Sequence, residues 1–214
     1  MPTVTGIDIS ANNGENIDFR RLYRDGVRFV YIKVSEGDYL NPYAKKHANE
    51  ARAAGLLVGA YDFVSPKPGR TGGQEADFFV KHARAATLLK KGSLRPAADV
   101  EVTKLSPGIE SRKYHYAFIE RLIDHHQIVK PFVYTAKWFW EGVLGAKRSF
   151  GCPLWLASYT PKWRTLIPRP WRRVVIHQYT DQGRLHGING NVDMDVYFGD
   201  LKSLREKHTL KRDH

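Results

Sequence analysis

Apolar residues along the chain fall into eight short runs that are rich in branched and aromatic side chains. The runs at 29–35 and 57–64 are hydrophobic almost without interruption, which is typical of strands buried on both faces of a parallel sheet. The first run alternates instead, because Ile7 and Ile9 share one face and Asp8 lies on the other. The pattern predicts strands over residues 4–10, 29–35, 57–64, 95–102, 130–136, 153–159, 174–180 and 190–198.

Helix signals occupy the segments between the first six of these strands. In residues 74–86 apolar positions recur three and four residues apart, and Ser106 followed by Pro107 is typical of a helix start. The last three strands are joined by proline- and glycine-rich connections with little room for a helix. Helices are predicted over 18–26, 43–54, 74–86, 106–126 and 138–144.

Strands that alternate with helices indicate an α/β protein with a mostly parallel sheet. Eight strands favour closure into an irregular TIM-like barrel, (β/α)5(β)3, and an open sheet is the alternative. The 214 residues suit one such barrel. We expect residues 1–200 to form the barrel domain, and residues 201–214 to form a charged C-terminal tail that is either a final helix or frayed.

Composition restricts the partners of this domain. The formal charge is 34 − 22 = +12, which favours a polyanion such as nucleic acid, an anionic membrane or an acidic cell-wall polymer. The basic residues are spread out, no nucleic-acid-binding motif is present, and no apolar run is long enough for a membrane span. We therefore expect a monomer with a diffuse basic surface, no nucleic-acid partner and no membrane insertion. Because no signal peptide precedes the first strand, we expect release or export by another route.

Two carboxylates stand close together in the fourth predicted strand. Asp99 and Glu101 are two residues apart, so their side chains point to the same face of the strand. Like charges at this spacing disfavour double ionisation, so at least one pKa is expected to rise. The functional interpretation is an acid/base site, and the structural alternative is an ion pair or a strand end that reaches solvent.

Polar and aromatic residues also mark the C-terminal ends of the other predicted strands. In a parallel barrel these ends meet at one face, which is where the chemistry of such folds occurs. If the barrel closes, we expect an acidic, aromatic-lined pocket that suits carbohydrate, with Tyr61, Tyr134 and Trp155 as sugar contacts. Trp155 is equally consistent with core packing. The strand-end residues are Asp8, Glu36, Asp62, Asp99, Glu101, Tyr134, Trp155, Gln178, Tyr179, Asp193 and Asp195.

Glycoside hydrolysis needs one protonated carboxyl and a second group that stabilises the positive sugar or activates water. Glu101 is the best candidate for the proton donor, because the negative charge of Asp99 beside it favours its protonated form. A divalent cation held by the carboxylates is the competing chemistry. No histidine pair has a recognisable zinc-ligand spacing, so we expect no metal and no cofactor.

Seven motifs, in order along almost the whole chain, resemble glycoside hydrolase family 25, the lysozymes of bacteria, phages and some fungi. Each motif alone is a weak signal, and their shared order makes the resemblance specific. The motifs are Gly6-Ile-Asp-Ile-Ser10 with Asn13-Gly14, Lys33-Val-Ser-Glu-Gly37, Gly59-Ala-Tyr-Asp-Phe63, Asp99-Val-Glu101, Pro153-Leu-Trp-Leu-Ala157, His177-Gln-Tyr-Thr180 and Gly187-Ile-Asn-Gly-Asn-Val-Asp193.

The resemblance implies the irregular barrel described above and cleavage of the β-1,4 bond between N-acetylmuramic acid and N-acetylglucosamine in peptidoglycan, an anionic cell-wall polymer. It places the general acid on Glu101 and an assisting carboxylate on Asp99, with further catalytic carboxylates on Asp8 and Asp193. It leaves open whether a water molecule or the substrate's own acetamido group attacks. The alternative is a barrel that binds peptidoglycan without cleaving it.

Two positions depart from the family pattern. Asp62 stands where the family usually has His, and Asp195 stands where Asn is common. Because neighbouring strand residues face opposite ways, Asp62 and Tyr61 cannot both point into the pocket. With Glu36, Gln178 and the aromatic residues above, Asp62 and Asp195 complete the predicted substrate-binding set.

Overall fold

Nine strands form a single sheet that closes on itself. The computed structural model describes residues 2–214. The sheet order is β1-β9-β8-β7-β6-β5-β4-β2-β3, and an additional β1–β2 pairing closes eight of the strands into a barrel. The strands are β1 (Thr3–Ile9), β2 (Phe29–Glu36), β3 (Tyr39–Leu40), β4 (Leu57–Phe63), β5 (Ala97–Asp99), β6 (Phe132–Thr135), β7 (Leu154–Ala157), β8 (Ile176–Gly183) and β9 (Val192–Phe198).

An α-helix follows each of the first four barrel strands and a π-helical turn follows the fifth, whereas only one 3-10 turn lies between the last three strands. The predicted (β/α)5(β)3 architecture is therefore confirmed. Seven barrel strands run parallel, and β9 is antiparallel to both β8 and β1. The helices are α1 (Phe19–Arg24), α2 (Ala44–Ala53), α3 (Gly72–Ala85), α4 (Ile109–Glu120) and α5 (Leu201–His208), with π-helical turns at Arg121–His125 and Trp138–Val143 and 3-10 turns at Ala11–Asn13 and Trp163–Leu166.

The barrel is filled by aromatic side chains that come from alternate residues of its strands. Tyr31 packs against Trp155 with ring centroids 4.7 Å apart, and Phe29 and Phe132 are fully buried beside them. Inward-facing glycines make this filling possible: a Cβ at Gly6 would lie 2.1 Å from the Phe29 ring. A separate, mainly aliphatic core lies between the outer faces of the strands and the helices.

Residues 201–214, expected as a charged tail, pack against the N-terminal end of the barrel. Leu204 of α5 is fully buried within the inner aromatic cluster, and the His208 ring lies 5.2 Å from Phe132. After α5, Thr209 pairs with Leu94 and Leu210 is buried against the outer core. The helix α5 therefore covers the opening of the barrel opposite the C-terminal ends of the strands. It can do so because it is amphipathic, with an apolar inner face and charged residues on its exposed face.

Candidate active site

Eight of the eleven residues predicted for the site surround one cavity of about 200 Å³ at the C-terminal ends of the barrel strands. We call this cavity the catalytic pocket. It is also lined by residues that were not predicted, among them Lys33 and Tyr159. The eight predicted residues are Asp8, Tyr61, Asp99, Glu101, Tyr134, Trp155, Gln178 and Asp193.

Strand β5 places the two central carboxyls in this pocket. It pairs in parallel with β4 on one side and β6 on the other, and Asp99 ends the strand opposite Tyr134 of β6. Asp99 is only 7% exposed, and its Oδ1 is buried without a hydrogen-bond partner among the described residues. Glu101, two residues further on, is half-buried at the pocket mouth.

The pKa values of both carboxyls of this pair are raised above their ordinary values. Burial raises the pKa of Asp99 well above its usual range, and the negative charge of Glu101 raises it further. Burial and the charge of Asp193 likewise raise the pKa of Glu101. Because each carboxyl is buried near other acids, the pair retains a proton at a pH where an exposed pair would have lost both. Proton donation is the chemistry that this arrangement supports.

Gln178 connects the acids on one side of the pocket to its aromatic wall. Its Nε2 donates to Asp8 Oδ2 at 2.7 Å, and its Oε1 accepts from Tyr134 Oη at 2.9 Å and from Tyr159 Oη at 2.6 Å. These bonds use both ends of the amide and fix its orientation. The tyrosine hydroxyls and the Asp8 carboxyl are therefore held in place before any ligand binds.

The antiparallel pairing of β9 with β1 brings three aspartates together. Asp8 lies directly opposite Asp193, and Asp195 lies opposite Gly6 one layer deeper in the barrel. Burial and the charge of Asp193 raise the pKa of Asp8, and burial and the charge of Asp8 raise that of Asp195. The group is therefore a buried acidic cluster of which Asp193 is the partly exposed member.

Asp195 was predicted to contact substrate, but it lies beneath the pocket. It is completely buried, and its Oδ1 accepts a hydrogen bond of 2.8 Å from Trp155 Nε1. Trp155 is itself 2% exposed and packs against Tyr31 and Tyr134, so it forms the floor of the pocket rather than an exposed stacking surface. Asp195 therefore affects the pocket indirectly, by holding the Trp155 indole and by its electrostatic interaction with Asp8.

The prediction that Asp62 lies in the pocket is wrong. Strand alternation turns Tyr61 inward and Asp62 outward, toward helix α3, where it is completely buried. Its Oδ1 accepts a hydrogen bond from Ser35, and its Oδ2 has no partner among the described residues. Burial raises its pKa well above the usual range, and the charge of Glu75 raises it further. Asp62 and Glu75 thus form a second buried acidic pair, outside the barrel interior.

Stability is expected to depend on pH through Asp62. Its folded pKa lies above the unfolded value, so the native state keeps a proton that the unfolded chain releases above about pH 4. The free energy of unfolding therefore falls as pH rises through the folded pKa. Asp62→Asn has no carboxyl proton to lose, so we expect its stability relative to wild type to increase as pH rises from about 4 toward 8.

Urea unfolding of both proteins across this pH range measures the difference. Asp124→Asn, at an exposed position, is the matched control and should follow the wild-type curve. Parallel curves for wild type and Asp62→Asn would show that Asp62 is not a protonated buried carboxyl.

Glu36 was also predicted to line the pocket, and it does not. Lys33 continues the inward alternation of Phe29 and Tyr31 and lines the cavity, whereas Glu36, which lies beyond an irregular register between Lys33 and Ser35, does not. Glu36 instead pairs with Lys33 Nζ at 2.9 Å. The positive charge of Lys33 lowers the pKa of both Asp99 and Glu101, opposing the effect of burial. The period-two pattern Phe29, Tyr31, Lys33 was the signal that sequence reasoning missed.

The two tryptophans of the helical turn Trp138–Val143 have opposite surroundings. Trp140 is completely buried, whereas Trp138 is 64% exposed at the edge of the catalytic face. Tyr179, which was marked only as a strand-end residue, is 41% exposed and lies outside the pocket. Exposed aromatic side chains close to the catalytic pocket are therefore Trp138 and Tyr159.

Within residues 2–214, one set of three potential metal ligands has its donor atoms within 4.8 Å, and it is not in the pocket. It consists of Asp77, His125 and His126 on the outside of the barrel. There Arg121 donates to both oxygens of Asp77, at 2.8 and 2.9 Å, and neutralises it. In the same part of the chain no helix is both long and apolar enough to cross a membrane.

Comparisons with known proteins relate the chain to one family of glycosyl hydrolases. A family model described as glycosyl hydrolases family 25 matches residues 7–188. An N,O-diacetylmuramidase from Chalaropsis is 30% identical over 210 residues, with 89% of this chain and 96% of the relative covered. An autolytic lysozyme from Clostridium acetobutylicum is 30% identical over 194 residues, covering 90% of this chain and 55% of the relative.

A solved structure extends the similarity to three dimensions. The family GH25 lysozyme from Aspergillus fumigatus superposes with a TM-score of 0.79 at 29% identity, over 98% of this chain and 100% of the other. A lysozyme from Streptomyces coelicolor superposes with a TM-score of 0.81 at 24% identity and supports the same fold.

Proposed function

The chain belongs to glycosyl hydrolases family 25, and we propose that it is a lysozyme whose proton donor is Glu101. The substrate is bacterial peptidoglycan, and the bond cleaved is the β-1,4 bond between N-acetylmuramic acid and N-acetylglucosamine. The observation that carries the assignment of Glu101 is its place beside Asp99 in the catalytic pocket, where burial and neighbouring charge raise both pKa values.

In the first step, Glu101 donates its proton to the glycosidic oxygen while the bond from that oxygen to the sugar carbon breaks. The released strand leaves with a neutral hydroxyl, and positive charge develops on the remaining sugar. Asp99, which lines the same pocket beside Glu101, faces this charge or the acetamido group next to it. A water molecule finally supplies the new hydroxyl of the sugar and returns a proton to Glu101.

Asp8, Asp193 and Gln178 support these two residues. Asp193 is the partly exposed acid whose charge raises the pKa of Glu101, which keeps the proton on the donor. Gln178 fixes Asp8 and the hydroxyls of Tyr134 and Tyr159 around the sugar. Such prearranged dipoles stabilise a charged transition state without reorganising during the reaction.

Clearing of a suspension of purified bacterial cell walls is the direct test of the function. We expect the wild-type protein to lower the turbidity and to release reducing sugar. Protein that sediments with the walls but releases no reducing sugar would instead be a binding barrel without turnover. The net charge of +12 supports attraction to the anionic wall, where we propose that the chain acts as a monomer.

The pH dependence of hydrolysis should respond in opposite directions to two substitutions. A general acid works only while protonated, so activity is lost as pH rises through the pKa of Glu101. The charge of Asp193 raises that pKa, and the charge of Lys33 lowers it. We expect Asp193→Asn to move the alkaline limb of the kcat/KM profile to lower pH, and Lys33→Gln to move it to higher pH.

Profiles of kcat/KM between pH 4 and pH 9 measure both shifts, and they are read from the position of the limb and not from the absolute rate. Glu110→Gln, at an exposed position in the first turn of α4, is the control for a change of surface charge. Limbs that stay in place or move in the same direction for both variants would contradict Glu101 as the titrating acid.

A further inference from the structure

A second cavity, of about 380 Å³, adjoins the catalytic pocket and shares three residues with it. The shared residues are Glu101, Tyr134 and Tyr159. On its far side this cavity is bordered by Trp138 and Leu166. We call it the leaving-group groove.

Two exposed aromatic side chains form part of the wall of the groove. Trp138 is 64% exposed, the largest exposed fraction among the large hydrophobic side chains of residues 2–214, and Tyr159 is 52% exposed. Exposed aromatic residues that cluster at the edge of a cavity indicate a binding surface, because each would be more stable if covered. The groove therefore suits a ligand that covers these two rings.

Both aromatic rings are held in place although they are exposed. The indole of Trp138 packs edge-on against Phe139, with ring centroids 5.5 Å apart at 81°, and Phe139 is only 2% exposed. The hydroxyl of Tyr159 is anchored by its 2.6 Å bond to Gln178. A braced ring binds with a smaller loss of conformational entropy than a mobile one. The two rings therefore form a prearranged platform.

The position of Glu101 between the two cavities fixes which part of the substrate the groove receives. The glycosidic oxygen must lie at the Glu101 carboxyl, where it takes up the proton. The sugar that becomes positively charged lies in the pocket, beside Asp99 and Asp8. The sugar that departs with the oxygen must then extend to the other side of Glu101, which is the groove.

We propose that the leaving-group groove binds the N-acetylglucosamine unit released by cleavage, with the face of its ring against the Trp138 indole. This assignment rests on the proposed muramidase function and adds the residues that hold the departing strand. Besides Glu101, Lys137 is the one charged side chain that borders the groove, so its lining suits a neutral sugar ring. Aromatic faces stack well on the apolar faces of such rings.

Steady-state kinetics on soluble peptidoglycan fragments provide the first test. We expect Trp138→Ala to raise KM about three- to tenfold with kcat nearly unchanged, because the stacking contact is made equally in the bound substrate and in the transition state. Trp138→Phe should restore most of the affinity. Tyr23→Ala, which removes an exposed aromatic residue from helix α1, should leave KM unchanged. An unchanged KM in Trp138→Ala, with wild-type turnover intact, overturns the groove and leaves the hydrolytic function standing.

A binding experiment decides the same question without catalysis. The indole N–H signal of Trp138, identified by its absence in Trp138→Phe, is followed by NMR while N,N′-diacetylchitobiose is added to full-length Glu101→Gln protein. We expect this signal to shift with a saturable dependence on the sugar concentration. A signal that does not move at saturating sugar would overturn the proposal, even if the wild-type protein hydrolysed no substrate at all.

Discussion

Glu101→Gln is expected to lower kcat for peptidoglycan hydrolysis by ~10²–10⁴-fold, the usual contribution of a positioned general acid. The amide keeps the size of the side chain but has no acidic proton to give to the leaving oxygen. The side chain is half-buried at the pocket mouth, so the fold should tolerate the change. Release of reducing ends from purified walls measures the loss, and thermal unfolding verifies that the variant is folded.

Glu110→Gln is the matched control, since it makes the same change at an exposed position of helix α4. It should retain the wild-type rate. A Glu101→Gln protein that is folded and keeps more than about a tenth of the wild-type rate would be inconsistent with the ~10²-fold minimum expected for a general acid.

Asp99→Asn is expected to lower kcat by ~10²–10³-fold, which is typical for removal of one prearranged electrostatic group from an active site. Asp99 is 7% exposed and lines the catalytic pocket beside Glu101, so its carboxyl lies next to the sugar that becomes positively charged. Asparagine retains the shape of the side chain but cannot carry the negative charge that stabilises the positive sugar. The same reducing-end assay measures the loss.

Substrates with an activated leaving group separate the two roles. The aryl oxide of an aryl glycoside leaves without being protonated, so such a substrate should restore much of the rate of the first step in Glu101→Gln. It should not restore Asp99→Asn, because stabilisation of the sugar is still missing. Equal rescue of both variants would contradict the division of roles between the two residues. Rescue of Asp99→Asn alone would exchange their roles.

The fold was predictable because its signals are local and repeated. Runs of buried strand residues alternate with helical stripes, and the two inward acids Asp8 and Asp99 follow from strand alternation alone. The rule that parallel strands present their C-terminal ends at one face then brings together most of the site, including Gln178 and Asp193.

The remaining site residues depended on features that sequence periodicity does not carry. Alternation along β2 places Lys33 on the inward face with Phe29 and Tyr31, but it does not place Glu36, because the register shifts between Lys33 and Ser35 and no residue pattern marks that shift. Asp62 faces away because Tyr61 faces inward, a choice that only the packing of the barrel decides. Trp138 resembles Trp140 in sequence, yet the π-helical turn buries only the second.

Mass spectrometry of fragments from digested peptidoglycan tests the central claim most directly. Hydrolysis between N-acetylmuramic acid and N-acetylglucosamine must leave N-acetylmuramic acid at each new reducing end, which borohydride reduction converts to muramitol. We predict muramitol-terminated fragments from wild-type protein and, in the same digestion time, at most about a hundredth of that amount from Glu101→Gln. Fragments that end in reduced glucosamine, or peptides cut from intact glycan strands, would contradict the assignment.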